Sequence, residues 1–146
     1  MKNILVAVDR KNDADLLISH AVNIAKLTNA KIWIIHVTVA DPDDFLAREA
    51  GPQYVYEKRA EDRKKEKATI EKWAEDVAKD HNVEVEGRII EGSVIKSIKK
   101  LVDECNIDLV VAGHKKKNLV YGLFTSNKKK DLIDELQIPL LAVPLG

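Results

Sequence analysis

Residues 4–9 read Ile4-Leu5-Val6-Ala7-Val8-Asp9. Five apolar residues stand in a row, β-branched at every second place, and an acid stops them. The run is short for a helix and too uniformly apolar for a strand with one wet face, so it reads as a strand buried on both faces. Such a strand needs a layer of structure on each side, and the rest of the chain supplies alternating elements to build them. Helical spacing over 13–28 puts Leu17, Ala21, Ile24 and Thr28 on one face, with Asn12 or Asp13 as N-cap and Asn29 as a left-handed stop. Ile32 to Val39 is a second β-branched run. Asp41-Pro42-Asp43-Asp44 and Gly51-Pro52 then break the pattern.

A long helix is expected from about Tyr54 to Asp80. Its first half is charged at every position of 57–67 except Ala60, so that half is expected to project into solvent, while Ile70, Trp73 and Val77 form a buried face in the second half. Glu61–Lys65 and Glu75–Lys79 stand in the favourable i,i+4 order. Val83 to Ile90 reads as a strand nearer the sheet edge, and Gly92-Ser93 turns into a helix with Ile95, Ile98, Val102 and Cys105 on one stripe. Cys105 there is a small core hydrophobe. Ile107 to Ala112 is another buried strand, followed by a lysine-rich loop, a last helix marked by Leu132, Ile133 and Leu136, and a last strand from Ile138 to Val143. Pro139 and Pro144 suit an edge. The expected fold is therefore α/β: a single Rossmann-like domain over 1–146, with a five-stranded, mostly parallel sheet and helices on both faces.

Composition narrows the function. The chain has 146 residues, 24 Lys+Arg against 24 Asp+Glu, and one Cys. One cysteine allows neither an internal disulfide nor a CxxC pair. Zero formal charge argues against a generic nucleic-acid binder. No apolar run reaches the roughly 20 residues of a membrane span, and the N-terminal run lacks the form of a signal peptide, so a cytoplasmic location away from the membrane is expected. The neutral total hides an asymmetry: residues 113–130 hold two lysine triplets, 115–117 and 128–130, and no acid. Placed at the start of the last helix, the second triplet with Ser126 or Asn127 as cap would meet an anion together with free backbone N–H groups. An ordinary exposed lysine surface is the simpler account of the same residues.

Catalytic motifs are missing. There is no Gly-x-Ser-x-Gly elbow and no Gly-x-Gly-x-x-Gly, and the P-loop spacing of Gly87 and Gly92 fails because Ser93 replaces the required lysine. His20, His36, His81 and His114 share no metal-ligand spacing, and no metal is expected. His20 and His81 read as surface residues and His36 as a core or rim residue. His114 stands out by position, directly after the fourth strand. In a parallel sheet ligands sit at the carboxyl ends of the strands, which selects Asp9, Val37 and Gly113-His114.

These segments resemble the universal stress protein family. The opening strand with its acidic end, Ile34-Ile35-His36-Val37, the Gly92-Ser93 turn, Ile107-Asp108-Leu109-Val110-Val111-Ala112-Gly113-His114 and Ile138-Pro139-Leu140-Leu141-Ala142-Val143-Pro144 occur in the family's order. The resemblance implies a nucleotide motif, Gly-x2-Gly-x9-Gly followed by Ser or Thr. Anchored on Gly113, its second glycine falls on Lys116, its third on Ser126 and its hydroxyl residue on Asn127. Only the first glycine remains, and a Cβ at the others blocks the backbone's approach to phosphate. The pattern is closer to the UspA-type branch, which the family resemblance describes as dimeric and without ATP binding.

The expectation is a dimeric, non-enzymatic stress protein without cofactor that acts on a protein partner, its last strands (Leu140, Leu141, Ala142, Val143) pairing across a two-fold axis. The alternative is an ATP- or ADP-binding switch or slow ATPase. Asp9, Val37, Gly113, His114, Lys116, Ser126, Asn127 and Lys128 would then line the pocket, with lysines replacing part of the glycine loop.

Overall fold

Every residue from Ile4 to Val8 is buried, as a central strand covered on both faces requires. The computed structural model describes residues 1–8, 11–37, 52–90, 94–114 and 136–145. Their elements run β1 (Asn3–Val8), α1 (Lys11–Thr28), β2 (Lys31–Val37), α2 (Pro52–His81), β3 (Val85–Ile90), α3 (Val94–Glu104), β4 (Leu109–His114) and β5 (Leu140–Pro144). The strands form one sheet in the order β3-β2-β1-β4-β5. Every pairing is parallel, which sharpens the expectation of a mostly parallel sheet.

Right-handed crossovers decide which face each helix covers. Steps from β1 to β2 to β3 run one way across the sheet, and the step to β4 reverses. Accordingly α1 and the buried side of α2 pack on one face, where Ile4, Val6, Val8, Ile32, Ile34 and Val111 meet Leu17, Ala21, Ile70 and Val77. On the other face Leu5, Ala7, Ile35, Val110 and Ala112 meet Ile98 and Leu101 of α3 and Leu136. Cys105, partly buried, packs against this second core. The last helix expected around Leu132 and Ile133 lies outside the described residues, as does the Gly92-Ser93 turn.

Three helices stop in the same way. Asn29, Asn82 and Asn106 have φ of 56°, 53° and 53°. The next residue's N–H reaches back to the helix: Ala30 to Ala25 O (3.3 Å), Val83 to Ala78 O (3.2 Å) and Ile107 to Val102 O (3.1 Å). This is the Schellman arrangement, with asparagine tolerating the left-handed residue and an apolar residue turning inward after it.

The last strand begins later than the sequence pattern indicates. Ile138 and Pro139 precede it; Pro139, which has no N–H to give, contributes its carbonyl as acceptor for Val110 N–H at 3.1 Å. β5 is an edge strand, as is β3. Asp108 ties the two central strands at their starts, accepting the backbone N–H groups of Lys2 (2.7 Å) and Asn3 (3.0 Å).

Candidate functional site

The reversal of strand order places a switch point between β1 and β4. The two strands are paired up to Ala7 opposite Ala112, and beyond that pair the chain leaves β1 at Val8 and β4 at His114. The last paired positions carry small side chains, Ala7 and Ala112, and Gly113 beyond them is buried. Ligands of doubly wound sheets bind outside the carboxyl ends of the strands at such a switch point.

The sequence-selected residues fall as follows. Val37 ends β2, and Gly113 and His114 end β4. Val8 is the register partner of His36, so the carboxyl ends of β1 and β2 stand side by side. Asp9 directly follows β1 but lies, with Lys116, Ser126, Asn127 and Lys128, outside the described residues. Leu140, Leu141, Ala142 and Val143 all belong to β5. Val143 is buried and Leu141 packs beside it on the α1 face, while Leu140 packs on the α3 face. The side chains of Leu140, Leu141 and Val143 thus serve the chain's own two cores, Ala142 is exposed, and among the described residues the outer backbone edge of β5 has no partner strand. His20 and His81 are exposed and His36 is half-buried at the rim of the sheet.

Helix α2 adds what the sequence alone does not convey. At 30 residues it is about 45 Å long, while the six residues of β3 span only about 20 Å. Burial begins at Ile70 and continues through Ala74 and Val77, whereas residues 60–69 are exposed apart from a half-buried Asp62. The helix therefore covers the sheet with its C-terminal part and overhangs the carboxyl ends of the strands with the rest. Beneath it lies a cleft of about 550 Å³. Val8 and Ile70 form its apolar floor with the flank of Trp73, and Lys65, Glu66, Lys72 and Asp76 stand around it with His36 and Thr69. Sequence reading assigned Trp73 to the core stripe and the charges to solvent; the one available signal was an indole at the boundary between the charged and apolar halves.

Elsewhere, charges compensate one another. An open groove of about 810 Å³ follows the outer side of β3 and α2, and within it Lys67 pairs with Glu71 at 4.0 Å and Arg88 with Glu86 at 2.8 Å. On the α3 face Trp33 is closed off: Lys31 Nζ and the Arg88 guanidinium lie 4.0 and 4.9 Å from its ring centroid, and its Nε1–H donates to Asn3 Oδ1 at 3.1 Å. Among the described residues no group of three His, Cys, Asp or Glu is placed to hold a metal, and no helix is long and apolar enough to cross a membrane. One carboxylate is clearly perturbed: the N–H groups of Lys2 and then Asn3 hold Asp108 below its ordinary range.

The architecture is that of a doubly wound α/β protein with its switch point between β1 and β4. The chain belongs to the universal stress protein family, whose pattern matches residues 1–144. A relative from Staphylococcus aureus (strain USA300), named as a universal stress protein, is 31% identical over 146 aligned residues, covering 97% of this chain and 83% of its own length. A universal stress protein solved in complex with cAMP is 18% identical, superposes with a TM-score of 0.64, and covers 99% of this chain and 98% of its own. One from Archaeoglobus fulgidus, solved in complex with dAMP, is 16% identical with a TM-score of 0.59, covering 98% of both chains. At those identities the two solved structures speak for the fold.

Proposed function

We propose that this chain is a universal stress protein of the UspA type: a cytoplasmic homodimer, not an enzyme, that acts through a protein partner and does not bind ATP tightly. The observation that carries this reading is the sequence after Gly113. Lys116 and Ser126 stand where the family motif has glycine, and Asn127 where it has Ser or Thr. Each lost glycine adds about 1–2 kcal/mol of strain where a left-handed backbone is needed, and micromolar affinity is worth only about 8 kcal/mol in all. Dimerisation through β5 is supported by its place at the edge of the sheet, where among the described residues this strand pairs only with β4. Calorimetric titration with ATP, ADP and AMP at low salt tests the first part, and light scattering the second.

A second reading is favoured by the relatives solved with cAMP and dAMP. Both ligands carry a single phosphate, so a site without a full triphosphate cradle remains compatible with such nucleotides. On this reading Asp9 and Val37 hold adenosine, Gly113, Ser126 and Asn127 meet the phosphate, and Lys116 and Lys128 replace lost backbone contacts. Native mass spectrometry of the purified protein for retained nucleotide separates the two readings before any titration. If nucleotide binds, Lys116→Ala and Lys128→Ala weaken it and flatten its salt dependence; unchanged binding in both rejects the lysine substitution.

A further inference from the structure

We propose that the outer edge of β3 is a docking groove for an extended segment of a protein partner, one that alternates apolar and charged residues and carries an acid and a base two positions apart. A protein partner belongs to the reading above, on which this rests; the edge of β3 gives that partner a place and a chemistry.

The backbone comes first. Ile32 N–H donates to the Glu84 carbonyl at 2.8 Å, and Ile32 is the register partner of Val85. Backbone groups of successive strand residues face opposite edges, so Glu84, Glu86 and Arg88 turn theirs toward β2. Val85, Gly87 and Ile89 turn theirs away, and among the described residues no strand lies on that side. The open groove of about 810 Å³ runs along these residues, with the flank of α2 as its second wall. Outward N–H and carbonyl groups in a row are what an added strand pairs with.

The side chains set what that strand must carry. Val85 and Ile89 are half-buried and pack on the α1/α2 core. Glu86 shares a face with its register partner Trp33, on the α3 side, and Arg88 lies over the Trp33 ring. An added strand is therefore apolar beside Val85, Gly87 and Ile89 and charged beside Glu86 and Arg88. Ile70 lies against Gly87, and α2 runs antiparallel to β3, as the helix of a parallel crossover does. Glu71 and Glu75 thus stand toward the Val85 end with Glu86, and Arg63 and Lys67 toward the Ile89 end with Arg88. The groove is acidic at one end and basic at the other. It selects a segment whose base meets Glu86 and whose acid meets Arg88, because opposite charges directly across a strand pair attract and like charges destabilise.

A second copy of β3 offers the same alternation, since Val85-Glu86-Gly87-Arg88-Ile89 is its own antiparallel complement. Its helix excludes it. The Ile70 carbonyl oxygen lies 2.8 Å from the Cβ position of Gly87, so α2 sits directly on β3. Strands pair about 4.8 Å apart, which would bring two such helices to about 5 Å where packed helices need about 8–10 Å. A segment without a covering helix meets no such obstacle.

The experiment titrates the full chain at low salt against the labelled peptide Thr-Val-Glu-Val-Lys-Val-Thr and reads fluorescence anisotropy. Two probes of like charge accompany it, one with glutamate and one with lysine at both charged places. The mixed peptide is expected to bind with a Kd of roughly 100 μM, as suits a contact much smaller than a stable interface. The like-charged peptides are expected to bind about tenfold more weakly. Arg88→Glu should make the lysine peptide the preferred one, and Glu86→Arg the glutamate peptide; both side chains are 40% or more exposed, so neither exchange opens a core. Amide exchange followed by NMR in the unaltered protein needs no variant. The mixed peptide should slow exchange at Val85, Gly87 and Ile89 and leave Glu86 and Arg88, already turned to β2, unchanged. No binding at millimolar peptide, equal binding of all three peptides, a preference that the charge variants do not move, or no added protection overturns the proposal. Protection of the same amides that rises with protein concentration alone would put a second copy there and overturn it too. ATP titration and light scattering of the unaltered protein report separately on the UspA-type reading, so a failure of one is distinguishable from a failure of the other.

Discussion

The backbone carbonyl oxygen of Ile70 lies 2.8 Å from the place a Cβ on Gly87 would occupy. Ile70 is where α2 stops overhanging and begins to cover the sheet, so the missing side chain at Gly87 sets how closely the helix lies on β3. That height also sets the depth of the cleft beside it. Gly87→Ala forces the helix outward, since the atom it meets is backbone and has no rotamer to change. Overpacking of this kind costs about 1–3 kcal/mol. Urea unfolding followed by circular dichroism should show a lower midpoint with an unchanged m value, and Gly87→Val a larger loss. A neutral Gly87→Ala would mean that α2 is not fixed at this point.

Asp108 makes stability depend on acid. Its folded pKa is depressed by the N–H groups of Lys2 and Asn3, so the stability it contributes is complete above its unfolded value, about 3.9. That stability disappears as pH falls through the lower folded value. Asp108→Asn should cost about 1 kcal/mol at pH 7, a modest figure because the carboxylate is partly solvated. The gap between the two proteins should close as pH falls below about 4. A gap that stays constant down to pH 2 would show that the carboxylate's charge is not what matters.

Much of the fold was legible because the relevant forces are local or periodic. Ile4–Val8 and Val110–Ala112 announce central strands by being apolar at every position, and Asn29 announces a helix end by tolerating a positive φ. The ends of β5 were harder: Ile138 looks like a strand residue, but proline next to it delays pairing to Leu140. Asp108 could not be recognised at all, because its partners are backbone groups more than a hundred residues away. The site was legible only as a sheet end. The cleft under α2 depends on where a helix longer than its strand leaves the sheet, and neither periodicity nor composition fixes that point.

The asparagine stops give a further prediction. Asn82 holds φ 53° between α2 and the approach to β3. Asn82→Ala should destabilise by about 1 kcal/mol, because a Cβ without a local polar partner disfavours the left-handed region. Asn82→Gly should be neutral or slightly stabilising, since glycine enters that region freely. Thermal unfolding of the pair checks this, and equal losses in both variants would show that the asparagine side chain, not its backbone, is what matters.

The proposed dimer predicts a mass twice that of the 16.4 kDa chain by light scattering at micromolar concentration. Ala142→Pro, on the exposed edge strand, should shift the mass toward the monomer by removing an N–H from the pairing edge. A monomer in the unaltered protein would remove β5 as an interface.

On the proposed UspA-type reading, the sequence after Gly113 lacks the glycines of a phosphate cradle. Calorimetric titration of the purified, nucleotide-free protein with ATP at low salt tests it most directly. The expected result is no binding tighter than about 10 μM, and a triphosphate that binds no better than the nucleoside alone. A Kd well below that, with ATP strongly preferred over adenosine, would contradict it.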